Sequence, residues 1–324
     1  MKNIYTIGID IGGTKTSFGL ISQTGNIIFK FTEPTETIGG NHLLTQIEFG
    51  IKKLLVKSHD LNAQVIAIGI GSPGRVSIEE GKILDCTPNI KNWAGIEVKV
   101  YFEKIFKLPI FIDNDANVAA FGEFYIRKLE GKKEETFVFL TIGTGLGSGV
   151  IYKDNLFRGK ASASEIGHMI LQMDGRQCNC GQKGCFEMYV SGVALETQAK
   201  NRLKDYSSSK LNSLDENNLK SHKIFEFAKD GDEFAQILIN EFIKGLSNAL
   251  ISLVNIFEPD IILLGGGISK QKDMFLEKTL ELVENNINIK NFNANIIQIA
   301  KTVENAGIIG AGLIAFHGYN EGDI

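Results

Sequence analysis

Positive charge, cysteine and long apolar runs are all scarce in this sequence, and each scarcity argues against a class of function. The 324 residues include 34 Lys and Arg against 38 Asp and Glu, which gives a net charge of −4. Nucleic acids and anionic membranes usually bind basic surfaces, so we expect neither as a partner. No apolar run approaches the roughly 20 residues of a membrane span, and the first residues lack a signal-peptide pattern. These features predict a cytoplasmic protein.

The four cysteines are too few and too clustered for a secreted disulfide framework, whose cysteines are spread and paired. Cys178, Cys180 and Cys185 lie close together with interleaved glycines, His168 lies just upstream, and Cys86 is distant. Three thiolates and one imidazole are a common ligand set of a tetrahedral structural zinc ion. The spacing does not match the Cys-x-x-Cys of a redox pair. Three unrelated buried thiols are the remaining alternative.

Strand and helix patterns alternate along the chain, as is typical of α/β proteins, and the length suits two domains. A strand, a glycine-rich turn and a second strand occur near residues 7–19 and again near 137–149, which indicates an internal duplication. Apolar spacing predicts a long helix over residues 234–257, ended by Pro259, and small residues predict a closing helix over 306–315.

Both glycine-rich turns are candidate phosphate sites, although ordinary hairpin turns remain an alternative. They comprise residues 10–15 and 143–147. Glycine lets the backbone approach a phosphate, successive N–H groups can surround its oxygens, and an Asp at a strand end can hold Mg²⁺ through water. Neither turn has the Walker pattern or a Gly-x-Gly-x-x-Gly that opens a helix. A P-loop or a dinucleotide fold is therefore not supported.

A polar cluster at residues 113–117 follows a buried strand and opens a helix. Such strand ends face the ligand crevice of α/β sheets. Helix capping explains one polar residue but not the whole cluster, and Asp113 is the member most readily assigned to structure. Glu165 and Glu187 flank the cysteines, and from spacing alone they read as surface glutamates.

Together these motifs resemble the ROK family of sugar kinases, within the actin and hexokinase superfamily. The resemblance covers nearly the whole chain in family order, at residues 10–15, 71–74, 113–117, 141–147, 165–168, 178–187, 264–267 and 306–311. One departure is visible. Ser164 precedes the Glu-x-Gly-His motif where many members have glycine, and this puts the fine sugar preference in question.

The resemblance implies an α/β, two-lobed, actin/hexokinase-like (ribonuclease H-like) fold with a cleft between the lobes. Residues 1–118 and 305–324 would form the N-terminal lobe, and residues 119–304 the C-terminal lobe with the zinc loop. Sugar would bind deep in the cleft with the nucleotide above it. Relatives are often dimers or tetramers, so a homo-oligomer is expected.

The resemblance also implies the roles of individual residues. Asp115 would be the general base, and a structural zinc would order the loop that carries Glu187. The sugar would be held by Gly74, Asn89, Asn114, Asp115, Glu165, His168 and Glu187. The nucleotide, with Mg²⁺, would be held by Asp10, Gly12, Gly13, Thr14, Lys15, Thr141, Gly143, Thr144, Gly145, Gly265, Gly266 and Gly267. The zinc ligands would be His168, Cys178, Cys180 and Cys185, with His168 serving both metal and sugar.

The implied reaction is ATP-dependent phosphorylation of a hexose. Glucose is the first choice because Pro88 and Asn89, followed by Trp93, resemble the glucokinase branch. N-acetylmannosamine or N-acetylglucosamine comes next, and then fructose. Some members are sugar-responsive repressors with a DNA-binding domain ahead of the kinase-like part, for which a first motif at Asp10 leaves no room. An inactive sugar-binding module is a third alternative, and the presence of Asp115 and both turns weighs against it.

Overall fold

The computed structural model describes residues 3–85, 90–161, 163–302 and 304–321. Its contacts divide the chain into two compact units. The first unit comprises Met1–Glu134, Gly149–Ser164 and Glu304–Ile324, and the second comprises Glu135–Ser148 and Glu165–Val303. These units group residues 119–134 and 149–164 differently from the expected lobes, whose bounds remain a prediction.

Strands and helices alternate throughout the described residues. The strands are β1 (Asn3–Ile11), β2 (Lys15–Ser22), β3 (Ile27–Pro34), β4 (Ala63–Ser72), β5 (Val76–Ser77), β6 (Lys82–Ile83), β7 (Ile110–Asn114), β8 (Thr136–Ile142), β9 (Leu146–Tyr152), β10 (Asn155–Leu156), β11 (Ile261–Gly265) and β12 (Ile297–Ile299). The helices are α1 (Gly40–Asp60), α2 (Val98–Phe106), α3 (Asp115–Leu129), α4 (Gly192–Arg202), α5 (Ser221–Lys229), α6 (Glu233–Phe257), α7 (Leu276–Asn286) and α8 (Ala306–Glu321).

The first unit is built on a mixed five-stranded sheet in the order β3-β2-β1-β4-β7. Strands β1, β2 and β3 form an antiparallel meander, whereas β4 runs parallel to both β1 and β7. The carboxyl ends of β1, β4 and β7 therefore lie at one edge of the sheet. The residues predicted to take part in the chemistry lie at or just beyond this edge, and they are Asp10, Gly74 and the 113–117 cluster.

Helix α8 packs directly on the middle of this sheet. Thr6 in β1 donates a 2.8 Å hydrogen bond from Oγ1 to the carbonyl oxygen of Gly312. Gly8 in β1 and Gly69 in β4 face the helix so closely that a Cβ on either would overlap its backbone carbonyls. Only glycine permits this approach. The contact places the first turn of α8 beside the end of β1.

The second unit contains a parallel arrangement in which β11 pairs with both β8 and β12. Helix α6 is the predicted long helix, and it ends at Phe257, two residues before Pro259. Among the described residues, α6 alone is long and apolar enough to cross a membrane, but 61% of its most apolar stretch is buried inside the protein. It is thus a core helix, and its Gly245 faces Tyr189 and Val190, which follow the cysteine cluster in the chain.

Candidate functional site

Asp115 is the first residue of α3, directly after β7. Asn114 caps this helix, because its Oδ1 accepts hydrogen bonds from the backbone N–H groups of Ala116 at 2.9 Å and Asn117 at 3.3 Å. The half-buried carboxylate of Asp115 accepts from the N–H of Ala116 at 2.8 Å. A helix N-terminus carries partial positive charge, which favours an ionised carboxylate. Asp115 is therefore held at a strand end, beside the partial positive charge of a helix N-terminus.

Asp113, two residues before Asp115 in β7, is committed to structure. It is only 3% exposed. Its Oδ1 accepts from the side-chain amide of Asn117 at 3.0 Å and from the N–H of Asn114 at 2.7 Å, and Arg158 donates to its Oδ2 at 2.7 Å. These bonds use both oxygens to hold the strand–helix junction. The geometry agrees with the assignment of Asp113 to structure.

The predicted sugar-side loop is tied to the same junction. Asn114 donates from Nδ2 to the carbonyl oxygen of Gly74 at 3.0 Å, and Gly74 has a φ of +91°, which favours glycine. The buried indole of Trp93 donates to Ser72 Oγ at 2.9 Å. With its Oδ1 used in capping, Asn114 keeps one amide hydrogen for a ligand. Asn89, also predicted to bind sugar, lies outside the described residues.

The first glycine-rich turn joins β1 to β2. The N–H of Gly12 donates to the carbonyl oxygen of Lys15 at 3.0 Å, so it is used inside the turn. Thr35 braces the turn by donating to the carbonyl oxygen of Gly12 at 2.7 Å. The remaining predicted residues, Gly13, Thr14 and Lys15, are exposed. Gly12 therefore shapes the turn, and the three exposed residues are the ones available to a phosphate.

Asp10 lies at the end of β1 against the start of α8. A Cβ on Gly307 would overlap the Asp10 carboxylate. Burial raises the pKa of Asp10 from 3.8 to about 6, and the positive charge of Lys15 opposes this effect. The carboxylate is consequently costly to ionise in the unliganded protein, and a bound cation would relieve that cost.

The second glycine-rich turn, between β8 and β9, repeats this construction. The N–H of Gly143 donates to the carbonyl oxygen of Gly145 at 2.9 Å, and a Cβ on Gly143 would meet no protein atom within 4 Å. Thr144 is exposed beside them, and Thr141 lies at the end of β8. Each turn thus closes on its own backbone and leaves its outer side open. This likeness agrees with the predicted duplication.

The third glycine motif follows β11. Gly265 is buried against Phe139, and Gly266 has a φ of +80° and packs against the backbone of Ile142. Gly267 is exposed, with no protein atom near the position of a Cβ. The close packing on Ile142 places this motif next to the turn that begins at Gly143. The second unit therefore gathers Gly143–Gly145 and 265–267 at one edge of its sheet.

The predicted zinc ligands converge. The ligand atoms of His168, Cys178, Cys180 and Cys185 all lie within 4.8 Å of one another. Cys180 Sγ is 3.6 Å from Cys185 Sγ, and Cys178 Sγ is 3.8 Å from His168 Nδ1. Zn–S bonds of about 2.3 Å in a tetrahedron separate sulfur atoms by about 3.8 Å, so this cluster has the size of a zinc site.

The thiol chemistry also suits a metal. Cys178 and Cys185 are buried, whereas Cys180 is exposed. Burial, with hydrogen bonds from the neighbouring thiols, raises the pKa of Cys185 to about 12. A thiol of this kind ionises at neutral pH only if a cation binds its thiolate. The set fits Zn²⁺, which would cross-link the 178–185 loop to His168.

Glu187 and His168 lie on two short 3₁₀ turns around this cluster. His168 ends the turn Ile166–His168, for which Glu165 is the capping residue. Glu187 lies in the turn Phe186–Met188, which directly follows Cys185. Glu187 Oε2 accepts a 2.8 Å hydrogen bond from the N–H of Leu146. Glu187 is thus not the plain surface glutamate that its spacing suggested.

A pair of charged residues missed in the sequence anchors this region. Arg176 donates from Nη1 to the carbonyl oxygen of Met188 at 2.9 Å and from Nη2 to Glu241 Oε2 at 2.7 Å. Its guanidinium also lies 4.6 Å from the ring centre of Tyr189. Glu241 belongs to α6, and Arg202 donates to its other oxygen at 2.7 Å. The segment around the cysteine cluster is therefore fixed to α6.

Ser164, which occupies a position where glycine is common in the family, has a φ of +69°. This left-handed conformation is the one that glycine adopts without strain. Ser164 offsets part of the cost by donating from Oγ to the carbonyl oxygen of Phe157 at 3.0 Å. Ser164 therefore holds a conformation that glycine would adopt at this position without strain.

Comparison with known proteins places this chain in one family. The ROK family model matches residues 6–317. A glucokinase of Thermotoga maritima is 31% identical over 318 residues, covering 97% of this chain and 98% of the relative. A xylose repressor of Caldicellulosiruptor bescii is 30% identical over 307 residues, covering 94% of this chain and 76% of the relative.

Among solved structures, a ROK family glucokinase from Streptomyces griseus in complex with glucose and AMPPNP is 30% identical and superimposes with a TM-score of 0.80. The match covers 97% of this chain and 100% of that one. The expected α/β fold of the actin and hexokinase type is confirmed by this likeness.

Proposed function

We propose that this chain, which belongs to the ROK family, transfers the terminal phosphoryl group of ATP to a hydroxyl group of a hexose. The observation that carries the proposal is the placement of Asp115 at the start of α3, capped by Asn114 and bonded through it to the Gly74 loop. A general base needs a fixed position within reach of the proton that it takes. Both glycine-rich turns are also present with their outer sides open.

Phosphoryl transfer depends mainly on alignment and charge neutralisation. Asp115 would accept the proton of the attacking hydroxyl group, and the N–H groups and hydroxyls of exposed Gly13, Thr14 and Thr144 would bind phosphate oxygens. Mg²⁺, when bound with the nucleotide, would neutralise phosphate charge. Asp10 is the carboxylate suited to orient it, because its raised pKa would fall in the field of a divalent cation.

The residues that the family resemblance assigns to sugar binding are divided between the two units. In the first unit these are Gly74, Asn114 and Asp115, together with Asn89. In the second unit they are Glu165, His168 and Glu187. Zinc would serve structure here, since it would hold the turns that carry His168 and Glu187. The family's double use of His168 is compatible with this structure, because Nδ1 faces Cys178 and leaves Nε2 for a hydroxyl group.

Glucose is the first candidate for the acceptor. Its support comes from the glucokinase relatives and from the Trp93 segment, whose indole braces the sugar-side loop through Ser72. N-acetylmannosamine or N-acetylglucosamine is the second candidate, and fructose is the third. A coupled assay of ADP release over this small set of sugars would rank them directly.

A sugar-responsive regulator is the second candidate function, because the xylose repressor is nearly as similar to this chain as the glucokinase is. A kinase must turn over ATP in the presence of sugar, whereas a regulator must bind sugar and a DNA operator without turnover. Measuring ADP release beside an electrophoretic mobility-shift assay separates the two. Sugar binding with no ADP release from any sugar would favour the regulator.

Asp115→Asn tests the proposed mechanism. Asparagine keeps the size of the side chain but cannot take the proton, so kcat should fall by at least about 10²-fold while the sugar Kd changes far less. Asp113→Asn, two residues earlier in the chain, is the matched control. It weakens the bond to Arg158, so it should lower Tm more than kcat. Near-normal turnover by Asp115→Asn would overturn the mechanism.

A further inference from the structure

Three hydrogen bonds join the segment after the cysteine cluster to the second glycine-rich turn. Glu187 Oε2 accepts from the N–H of Leu146 at 2.8 Å. The N–H groups of Gly192 and Val193 donate to the carbonyl oxygens of Gly143 and Thr144, at 2.8 Å and 3.0 Å. All three bonds lie within the second unit. The backbone groups of Gly143, Thr144 and Leu146 are therefore all hydrogen-bonded to the 187–193 segment.

The two segments are also packed without space between them. A Cβ on Gly145 would lie 2.6 Å from Glu187 Oε2, and a Cβ on Gly192 would lie 3.0 Å from the carbonyl oxygen of Gly143. The carboxylate of Glu187 thus lies against the backbone of the turn. Glycine at both positions is what allows this approach.

Glu187 is itself held from two sides. Cys185, a candidate zinc ligand, directly precedes the 3₁₀ turn that contains Glu187, and its carbonyl oxygen accepts from the N–H of Met188 at 3.0 Å. On the other side, Arg176 fixes the carbonyl oxygen of Met188 and binds Glu241 of α6. The carboxylate therefore has little freedom to move away from Leu146. Of its side-chain atoms only Oε2 is committed to the turn, which leaves Oε1 for a substrate hydroxyl group.

We propose that Glu187 is a positioning residue for nucleotide binding, and that it does this by holding the Gly143–Leu146 backbone in the shape that receives phosphate. This rests on the proposed function for the identity of the ligand. Through Glu187, an intact zinc loop would then support nucleotide affinity even when no sugar is bound. Loss of a hydrogen bond to a charged partner should weaken the affinity for Mg·AMPPNP by about tenfold.

The test compares Glu187→Gln with Glu187→Ala by calorimetry, using Mg·AMPPNP without sugar. Glutamine retains an oxygen that can accept from Leu146, whereas alanine does not. Both variants should lose sugar affinity, but only the alanine variant should lose nucleotide affinity. Glu277→Ala, at an exposed position on α7, is the control and should match wild type. If Glu187→Ala fails to fold, Glu187→Met keeps the chain length without an acceptor and replaces it.

A second measurement is independent of any ligand. Amide hydrogen exchange at Leu146 should become faster in Glu187→Ala, and also in wild type after a chelator removes zinc. Equal nucleotide affinity in the alanine and glutamine variants, or unchanged Leu146 exchange, would overturn the positioning role. If wild type binds no nucleotide, the proposed function fails, and the exchange measurement still decides whether Glu187 restrains the turn.

Discussion

Asp10→Asn should make the protein more stable and impair its proposed function. In the folded protein, burial raises the pKa of Asp10 from 3.8 to about 6. One pKa unit corresponds to about 1.4 kcal/mol, so ionised Asp10 lowers the free energy of unfolding by up to about 3 kcal/mol at neutral pH. Because the pKa is higher in the folded state, the cost is absent below about pH 3.8 and complete above about pH 6. Asparagine carries no such cost.

Urea unfolding of wild type and Asp10→Asn at a series of pH values measures this effect. The two proteins should have similar stability at pH 4. By pH 7 the variant should be more stable than wild type by up to about 3 kcal/mol. Asp273→Asn, at an exposed position, is the control and should follow the wild-type curve. Parallel curves for wild type and Asp10→Asn from pH 4 to 7 would refute the reasoning.

For nucleotide affinity, in contrast to stability, wild type should exceed Asp10→Asn. If ionised Asp10 orients Mg²⁺, wild-type affinity for Mg·AMPPNP should rise as pH increases towards about 6 and then level off. Asp10→Asn should bind more weakly and lose this rise. A variant that binds as tightly as wild type, with the same pH profile, would remove Asp10 from the proposed cation site.

The remaining predictions concern the zinc loop and the second turn. Cys180→Ala should lose zinc, sugar affinity and thermal stability together, whereas Cys86→Ala should keep its metal; elemental analysis checks this, and an active, folded protein without zinc would contradict it. Gly143→Val should fold, because its side chain meets no protein atom within 4 Å, yet bind ATP much more weakly in calorimetry; unchanged affinity would count against the phosphate assignment. Arg176→Met should reduce unfolding free energy by about 1–3 kcal/mol and raise the sugar KM more than it lowers kcat; a fall in kcat alone would contradict an anchoring role.

Features with a local sequence pattern were predictable. The β1–β3 meander and both glycine-rich turns follow from alternating apolar residues broken by glycine. Helix α6 follows from an apolar face of helical period. The convergence of His168 with Cys178, Cys180 and Cys185 was predictable because close spacing in sequence favours closeness in space, and the distances between their ligand atoms fit a tetrahedral site.

Long-range polar contacts carried no comparable signal. Arg176 and Glu241 are 65 positions apart, and Arg158 and Asp113 are 45 apart. No sequence spacing predicts either pair, because the fold of the chain between the two residues determines whether they come into contact. The sequence likewise did not indicate which backbone N–H groups are used in hydrogen bonds within the turns. The bonds from the N–H groups of Gly12 and Gly143 to Lys15 and Gly145, which close the two turns, have no signature in the motifs, and the predicted phosphate contacts of both glycines stay predictions.

The direct packing of α8 on β1 and β4 has a consequence for the order in which the protein can form during synthesis. The last strand of the first sheet ends at Asn114, and α8 begins only at Ala306. At about 5–20 residues per second, a ribosome needs about 10–40 s to make the intervening residues. During that time the sheet face around Gly8 and Gly69 lacks the helix that packs on it. The first unit is thus completed after the second has been made, and a nascent chain stalled in between would present a bare β surface to chaperones.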